Sequence, residues 1–159
     1  MTFLEPNDKA PNFSLQDKDN KTQKLTDYKG QWVILYFYPK DDTPGCTIEG
    51  IEFTSILKDL KKINTVVLGV SGDSPEKHEK FCKKHNLEVT LLSDPNYDMM
   101  QQYGAYGNKI LYGKTFLGIK RSTYIIDPKG KVAKVWKSVR SKGHAQKVLE
   151  ELTKLQNNG

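Results

Sequence analysis

The stretch from Trp32 to Phe53, WVILYFYPKDDTPGCTIEGIEF, constrains this chain more than any other. It opens on a nearly unbroken apolar run, Trp32 to Tyr38, rich in β-branched and aromatic residues, as a strand buried on both faces requires. The segment Pro39-Lys-Asp-Asp-Thr-Pro-Gly45 cannot continue that strand, nor be helical throughout, because two prolines and a glycine interrupt it. Beyond it, Ile48, Ile51, Phe53, Ile56, Leu57 and Leu60 recur at helical spacing, which predicts a helix from Thr47 to about Lys62. Cys46 therefore falls at a helix start, where unpaired N–H groups and the helix dipole favour an anion. That is a setting for a nucleophilic thiolate. A structural cysteine would sit more naturally within the apolar strand or on the buried helix face.

The remaining chain reads as alternating strands and helices. Phe13–Leu15 and Gln23–Leu25 flank Asp17–Lys21 and predict an N-terminal hairpin. Its acidic loop is no calcium loop, because the central glycine is missing and Tyr28 stands where a terminal glutamate is needed. Thr65–Ser71 is a second buried strand, so strand, helix and strand form a right-handed βαβ unit. Ser74 caps a helix with Pro75 in its first turn, running to about Asn86. Val89–Ser93 is a short strand, and a brief helix carries Met99 and Met100. Arg121–Asp127 and Lys131–Trp136 flank Asp-Pro-Lys-Gly130, a hairpin turn. An amphipathic helix runs from Gly143 to about Gln156, with Ala145, Val148, Leu149, Leu152 and Leu155 as its stripe. Between Gly104 and Gly118 the pattern predicts a long surface loop. Its Gly107–Thr115 segment is not a phosphate loop, since Asn108 stands where glycine is required. The sum is a mixed α/β layer fold in one domain, residues 1–159.

The signature Pro39-x-x-x-Thr43-x-x-Cys46 resembles the active-site motif of the peroxiredoxins, and FYPKDDTPGCTIE is similar to the bacterioferritin-comigratory (Bcp/PrxQ) branch. The similarity extends through GVSGDSPEKHEKF, LLSDP and RSTYIIDPKGKV, so it covers most of the chain. The resemblance implies a thioredoxin-like fold, a central mixed sheet flanked by helices, and a thiol peroxidase that needs no cofactor. It implies Cys46 as the thiolate that attacks hydrogen peroxide or an alkyl hydroperoxide. Arg121 is the matching active-site arginine, with Lys120 as a nearby decoy. Thr43 would contribute a hydroxyl to thiolate and peroxide, Pro39 would shield the site, and Pro44 and Gly45 would shape the loop. Glu49 reads equally well as a polar support or as a favourable first-turn acid.

Many members carry a second, resolving cysteine at the position that Ile51 occupies here. The remaining thiol is Cys82, which fits a variant that puts the resolving cysteine on the following helix. His78, Phe81, Cys82 and His85 also form a buried helical stripe, in which Cys82 could be an inert core residue. A Cys46–Cys82 disulfide reduced by thioredoxin and a one-cysteine enzyme recycled by an external thiol both remain open. The stripe lacks a fourth ligand for zinc.

Composition narrows the remaining classes. The net charge is +6, but the lysines are dispersed and only two arginines, Arg121 and Arg140, are present, against a nucleic-acid module. A disulfide reductase would need Cys-x-x-Cys, and Thr43 and Glu49 occupy the two candidate positions. The start, MTFLEPNDKAPNF, lacks a basic n-region and an apolar h-region, and two cysteines without an export signal suit a reducing cytoplasm. No membrane partner is expected, and the branch suggests a monomer.

Overall fold

The computed structural model describes residues 2–158. In chain order its elements are β1 (Ser14–Gln16), β2 (Thr22–Lys24), a 3-10 turn (Leu25–Tyr28), β3 (Trp32–Phe37), α1 (Pro44–Ser55), α2 (Leu57–Lys62), β4 (Thr65–Ser71), α3 (Pro75–His85), β5 (Thr90–Ser93), α4 (Asp98–Gln102), β6 (Tyr106–Leu111), β7 (Lys114–Ile119), β8 (Ser122–Ile126), β9 (Val132–Trp136) and α5 (His144–Asn157). Seven strands form one mixed sheet in the order β2-β1-β5-β4-β3-β8-β9. β3, β4 and β5 run parallel, whereas β8 lies antiparallel against the other side of β3.

The unbroken apolar run of β3 follows from its central position. Val33, Leu35 and Phe37 enter a core with Met99, Met100, Tyr103 and Tyr124 on one face. Ile34, Tyr36 and Tyr38 enter a second core with Phe53, Leu60, Phe81 and Val148, covered by α1, α2, α3 and α5. Each face alternates with the pleat, and both are buried. Cys46 and Cys82 both lie in the second core.

Two expectations need correction. The single helix expected after Cys46 is two, broken at Ile56, whose φ of −108° and ψ of 5° leave the helical region. It also starts earlier, at Pro44, because a proline in the first turn gives up only an N–H that has no helical partner. The expected surface loop at 104–118 is instead the hairpin β6–β7, paired from Tyr106↔Ile119 to Leu111↔Lys114. Tyr112 and Gly113, with φ of 52° and 76°, form its two-residue turn. Positive φ at both central positions matches the twist of the flanking strands. Tyrosine at the first turn position, where asparagine, aspartate or glycine is usual, and exposed Ile110, Leu111 and Leu117, which break the apolar–polar alternation, hid the pattern.

Close packing at the sheet centre yields a stability prediction. A Cβ on Gly69 of β4 would stand 2.6 Å from Tyr36 Cζ and 2.8 Å from Leu91 Cδ2. Both neighbours are at most 2% exposed. Gly69→Ala is expected to destabilise by about 1–3 kcal/mol in urea unfolding, through overpacking of rigid neighbours. A variant as stable as wild type would show that this core can relax.

Candidate active site

Sheet register explains how residues far apart in sequence meet. The last residue of β3 pairs with the first of β8, Phe37↔Ser122. The turn that leaves β3 and the residue that precedes β8 therefore occupy the same sheet end. The turn leads into α1 and Cys46, and the residue before β8 is Arg121.

Arg121 Nη2 donates to Cys46 Sγ at 3.1 Å, and Arg121 Nη1 donates to Glu49 Oε1 at 2.7 Å. Cys46 and Glu49 are i and i+3 on α1, so one planar guanidinium spans two groups on the same helix face. Cys46 is 2% exposed and Glu49 fully buried. Burial pushes the Glu49 carboxyl up to about 7, against the opposing pull of Arg121. Its second oxygen, Oε2, has no hydrogen-bond partner. Burial works against the Arg121 charge, but Glu49 and Cys46 together hold that guanidinium above its ordinary value. Glu49, which the sequence left evenly between two readings, is thus a partner of Arg121. Its spacing one helical turn from Cys46 was the available signal.

Gly45 lies against the guanidinium. A Cβ there would sit 3.2 Å from Arg121 Nη2 and 3.1 Å from Ser141 Oγ, so a side chain would crowd the arginine. Thr43 is the N-cap of α1 by backbone position, yet its hydroxyl makes no cap bond and donates instead to the Lys40 carbonyl at 2.8 Å. The Thr43 carbonyl takes Thr47 N at 2.9 Å and Thr47 Oγ1 at 2.8 Å. Gly45 and Cys46 thus stand in a first turn with no side-chain cap on its N–H groups. Pro39 is exposed at the exit from β3, and Pro44 opens α1.

Cys82 is a free thiol on α3, 3% exposed, and burial pushes it up to about 11. Of the helix stripe read from the sequence, His78, Phe81 and Cys82 are buried, whereas His85 is only half-buried. Its histidines are engaged elsewhere. His78 contacts Asp41 and the Leu92 carbonyl, and His85 contacts Asp42. These aspartate partners, in the Pro39–Thr43 turn, gave no signal in the sequence.

Comparison with known proteins agrees along nearly the whole chain. The model of the AhpC/TSA family matches residues 6–135. A putative peroxiredoxin Bcp of Helicobacter pylori is 46% identical over 152 residues, which cover 96% of this chain and 100% of that protein. Peroxiredoxin Bcp of Bacillus subtilis is 42% identical over 149 residues, 94% of this chain and 95% of its own. The structure of a cysteine variant of Xylella fastidiosa PrxQ superposes with a TM-score of 0.91 at 35% identity, covering 98% of this chain and 99% of that one. The bacterioferritin comigratory protein of Xanthomonas campestris, solved in trapped-intermediate and ligand complexes, gives 0.84 at 37% identity over 89% and 90% of the two chains. The fold is thioredoxin-like, and this protein belongs to the AhpC/TSA family, within its Bcp/PrxQ peroxiredoxins.

Proposed function

We propose that this chain is a thiol-dependent peroxidase whose reacting atom is Cys46 Sγ. The observation that carries the reading is the pair of bonds from one guanidinium, 3.1 Å to Cys46 Sγ and 2.7 Å to Glu49 Oε1. The sulfur anion attacks one oxygen of the peroxide. An S–O bond forms, the O–O bond breaks, and the leaving oxygen takes a proton to become water or an alcohol. Sulfur is oxidised by two electrons to a sulfenic acid, and the peroxide is reduced by the same two.

Charge in this step moves from sulfur to the leaving oxygen. Arg121 lies at its starting point and can follow it with further N–H donors. The Gly45 and Cys46 amides offer additional donors at the helix start. The Thr43 hydrogen is committed to the Lys40 carbonyl, so its oxygen is left to accept from a peroxide O–H. Pro39 and Pro44 stiffen the turn that holds these groups. Substrates are hydrogen peroxide and small alkyl hydroperoxides; the Xanthomonas campestris relative was studied for alkyl peroxide reduction.

Cys82 then resolves the sulfenic acid. Its sulfur displaces the hydroxyl on Cys46, which leaves as water with the Cys82 proton, and an S–S bond forms. A buried thiol pushed up to about 11 is a poor attacker, so resolution requires α3 to open. A dithiol reductant of the thioredoxin kind then reduces the disulfide. The enzyme works as a single-domain monomer in a reducing cytoplasm, and no helix among the described residues is long and apolar enough to cross a membrane. The same burial of Cys82 favours one second reading, in which that thiol is inert and an external thiol reduces Cys46 directly.

Intact mass after one equivalent of hydrogen peroxide separates these readings. Wild type is expected to lose two hydrogens, while Cys82→Ser accumulates the adduct of a sulfenic-acid trap. Adduct in both proteins supports the one-cysteine reading, and unchanged thiols in both contradict a peroxidase.

Glu49 yields a stability prediction of definite sign. Its carboxyl is raised to about 7 in the folded chain from an ordinary 4.5, so the folded state holds the proton more tightly. The associated stabilisation is complete below the unfolded value and is lost as pH rises through the folded one. In urea unfolding, wild type should lose about 2–3 kcal/mol more than Glu49→Gln between about pH 5 and pH 8. Parallel profiles for the two proteins would contradict a carboxyl buried in this way.

A further inference from the structure

Two consecutive aspartates in the turn that delivers Cys46 reach across to α3, and neither takes part in the chemistry described above. Asp41 is buried. Its Oδ2 lies 2.7 Å from His78 Nδ1, and its Oδ1 accepts from Tyr38 Oη at 2.6 Å. The Asp41 amide donates to Asp73 Oδ2 at 2.8 Å, which also accepts from Ser71 Oγ at 2.9 Å. His78 Nε2 donates to the Leu92 carbonyl at 3.0 Å. A carbonyl cannot donate, so the orientation of the imidazole is set from both of its nitrogens. Asp42 faces outward with a left-handed φ of 61°. Its carboxylate accepts from His85 Nε2 at 2.8 Å and from Lys84 Nζ at 2.8 Å.

His78 and His85 are seven residues apart on α3, two turns along one face, and Cys82 lies between them. Among the described residues, then, the Pro39–Thr43 turn is fastened to the helix on both sides of the second thiol. α3 is otherwise held to the body of the protein by the His78 Nε2 bond to the Leu92 carbonyl and by the apolar contacts of Phe81 and Cys82, and the Ser74 hydroxyl caps its first turn. It contains five lysines and histidines after its first turn, and little of its surface is apolar beyond this face.

We propose that Asp41 and Asp42 form a clasp that sets how readily α3 opens, and hence how fast Cys82 reaches the Cys46 sulfenic acid. Asp41 with His78 is the buried anchor, and Asp42 with His85 and Lys84 is the adjustable, solvent-facing half. These are positioning residues; none touches the reacting atoms. The inference rests on the reading of Cys82 as the resolving thiol. Its chemical consequence is a competition at Cys46. A sulfenic acid that waits behind a closed helix can react with a second peroxide, which oxidises it to sulfinic acid and leaves as water or an alcohol. A tight clasp prolongs that wait, and a loose one shortens it.

The exposed half gives the test, because removing His78 would strand a buried Asp41. Asparagine tolerates a left-handed φ, so Asp42→Asn removes the charge without straining the turn. Wild type, Asp42→Asn, His85→Gln and the double variant are mixed rapidly with hydrogen peroxide, quenched with an alkylating agent and weighed intact. Glu5→Gln, which breaks the exposed Glu5–Lys137 pair at 2.7 Å, controls for a general loss of a surface ion pair.

The expected result is an unchanged rate of the first oxidation and disulfide formation faster by about two- to fivefold in Asp42→Asn, the range of an exposed ion pair. His85→Gln should give a smaller acceleration, because Lys84 still reaches Asp42. The double variant should match Asp42→Asn, since both partners act through one carboxylate. Excess peroxide should leave correspondingly less sulfinic acid, and amides of α3 should exchange faster with solvent, with neither change in Glu5→Gln. A normal wild-type disulfide with no acceleration in Asp42→Asn would overturn the clasp alone. Absence of any disulfide in wild type would overturn the resolving role of Cys82 and the clasp with it.

Discussion

One guanidinium stands between two buried groups, the Cys46 sulfur and the Glu49 carboxyl, and the rest of the site is arranged around it. Burial disfavours charge on both Glu49 and Arg121. Arg121 makes the arrangement tenable because its charge is permanent and its donors point in fixed directions. The unpartnered Glu49 Oε2 and the carboxyl pushed up to about 7 show that the compensation is incomplete. Glu49 restrains Arg121 from one side, which fixes the direction of the donor offered to sulfur on the other.

The fold supplies this geometry through register. β3 continues into the turn of Pro39–Thr43, β8 begins immediately after Arg121, and the antiparallel pairing Phe37↔Ser122 brings both to one sheet end. The absence of a side chain on Gly45 lets α1 approach the guanidinium closely. The neighbouring turn residues serve a different purpose. Asp41 and Asp42 fasten the turn to α3, so the segment that bears the first thiol is mechanically linked to the helix that bears the second. The resolution by Cys82 proposed above would require these same few contacts to part after oxidation.

Much of the architecture was legible because local chemistry and tertiary role coincide. The run Trp32–Tyr38, the Ser74–Pro75 helix start and the Asp-Pro-Lys-Gly130 turn each state their conformation in a few residues. Cys46 and Arg121 were legible through their motifs, but nothing in their spacing predicts that they touch, because the contact depends on the pairing of β3 with β8. Glu49 carried only its position one turn from the cysteine. The Asp41–His78 contact was illegible for a related reason: His78 fits an apolar stripe, and its partner lies on a turn where aspartates are commonplace. The β6–β7 hairpin was missed because its strands expose apolar side chains, so period-two alternation is lost.

The most direct test of the central claim is the second-order rate at which hydrogen peroxide oxidises Cys46 in Arg121→Lys, compared with wild type. Lysine keeps the positive charge but loses the planar fork that spans Cys46 and Glu49. The account predicts a fall of about a hundredfold or more, the usual consequence of removing a positioned donor from a developing charge. The far-ultraviolet circular dichroism and the cooperative unfolding of the variant should remain those of wild type. An Arg121→Lys protein that is folded and oxidised at the wild-type rate would contradict the claim that this guanidinium organises the site.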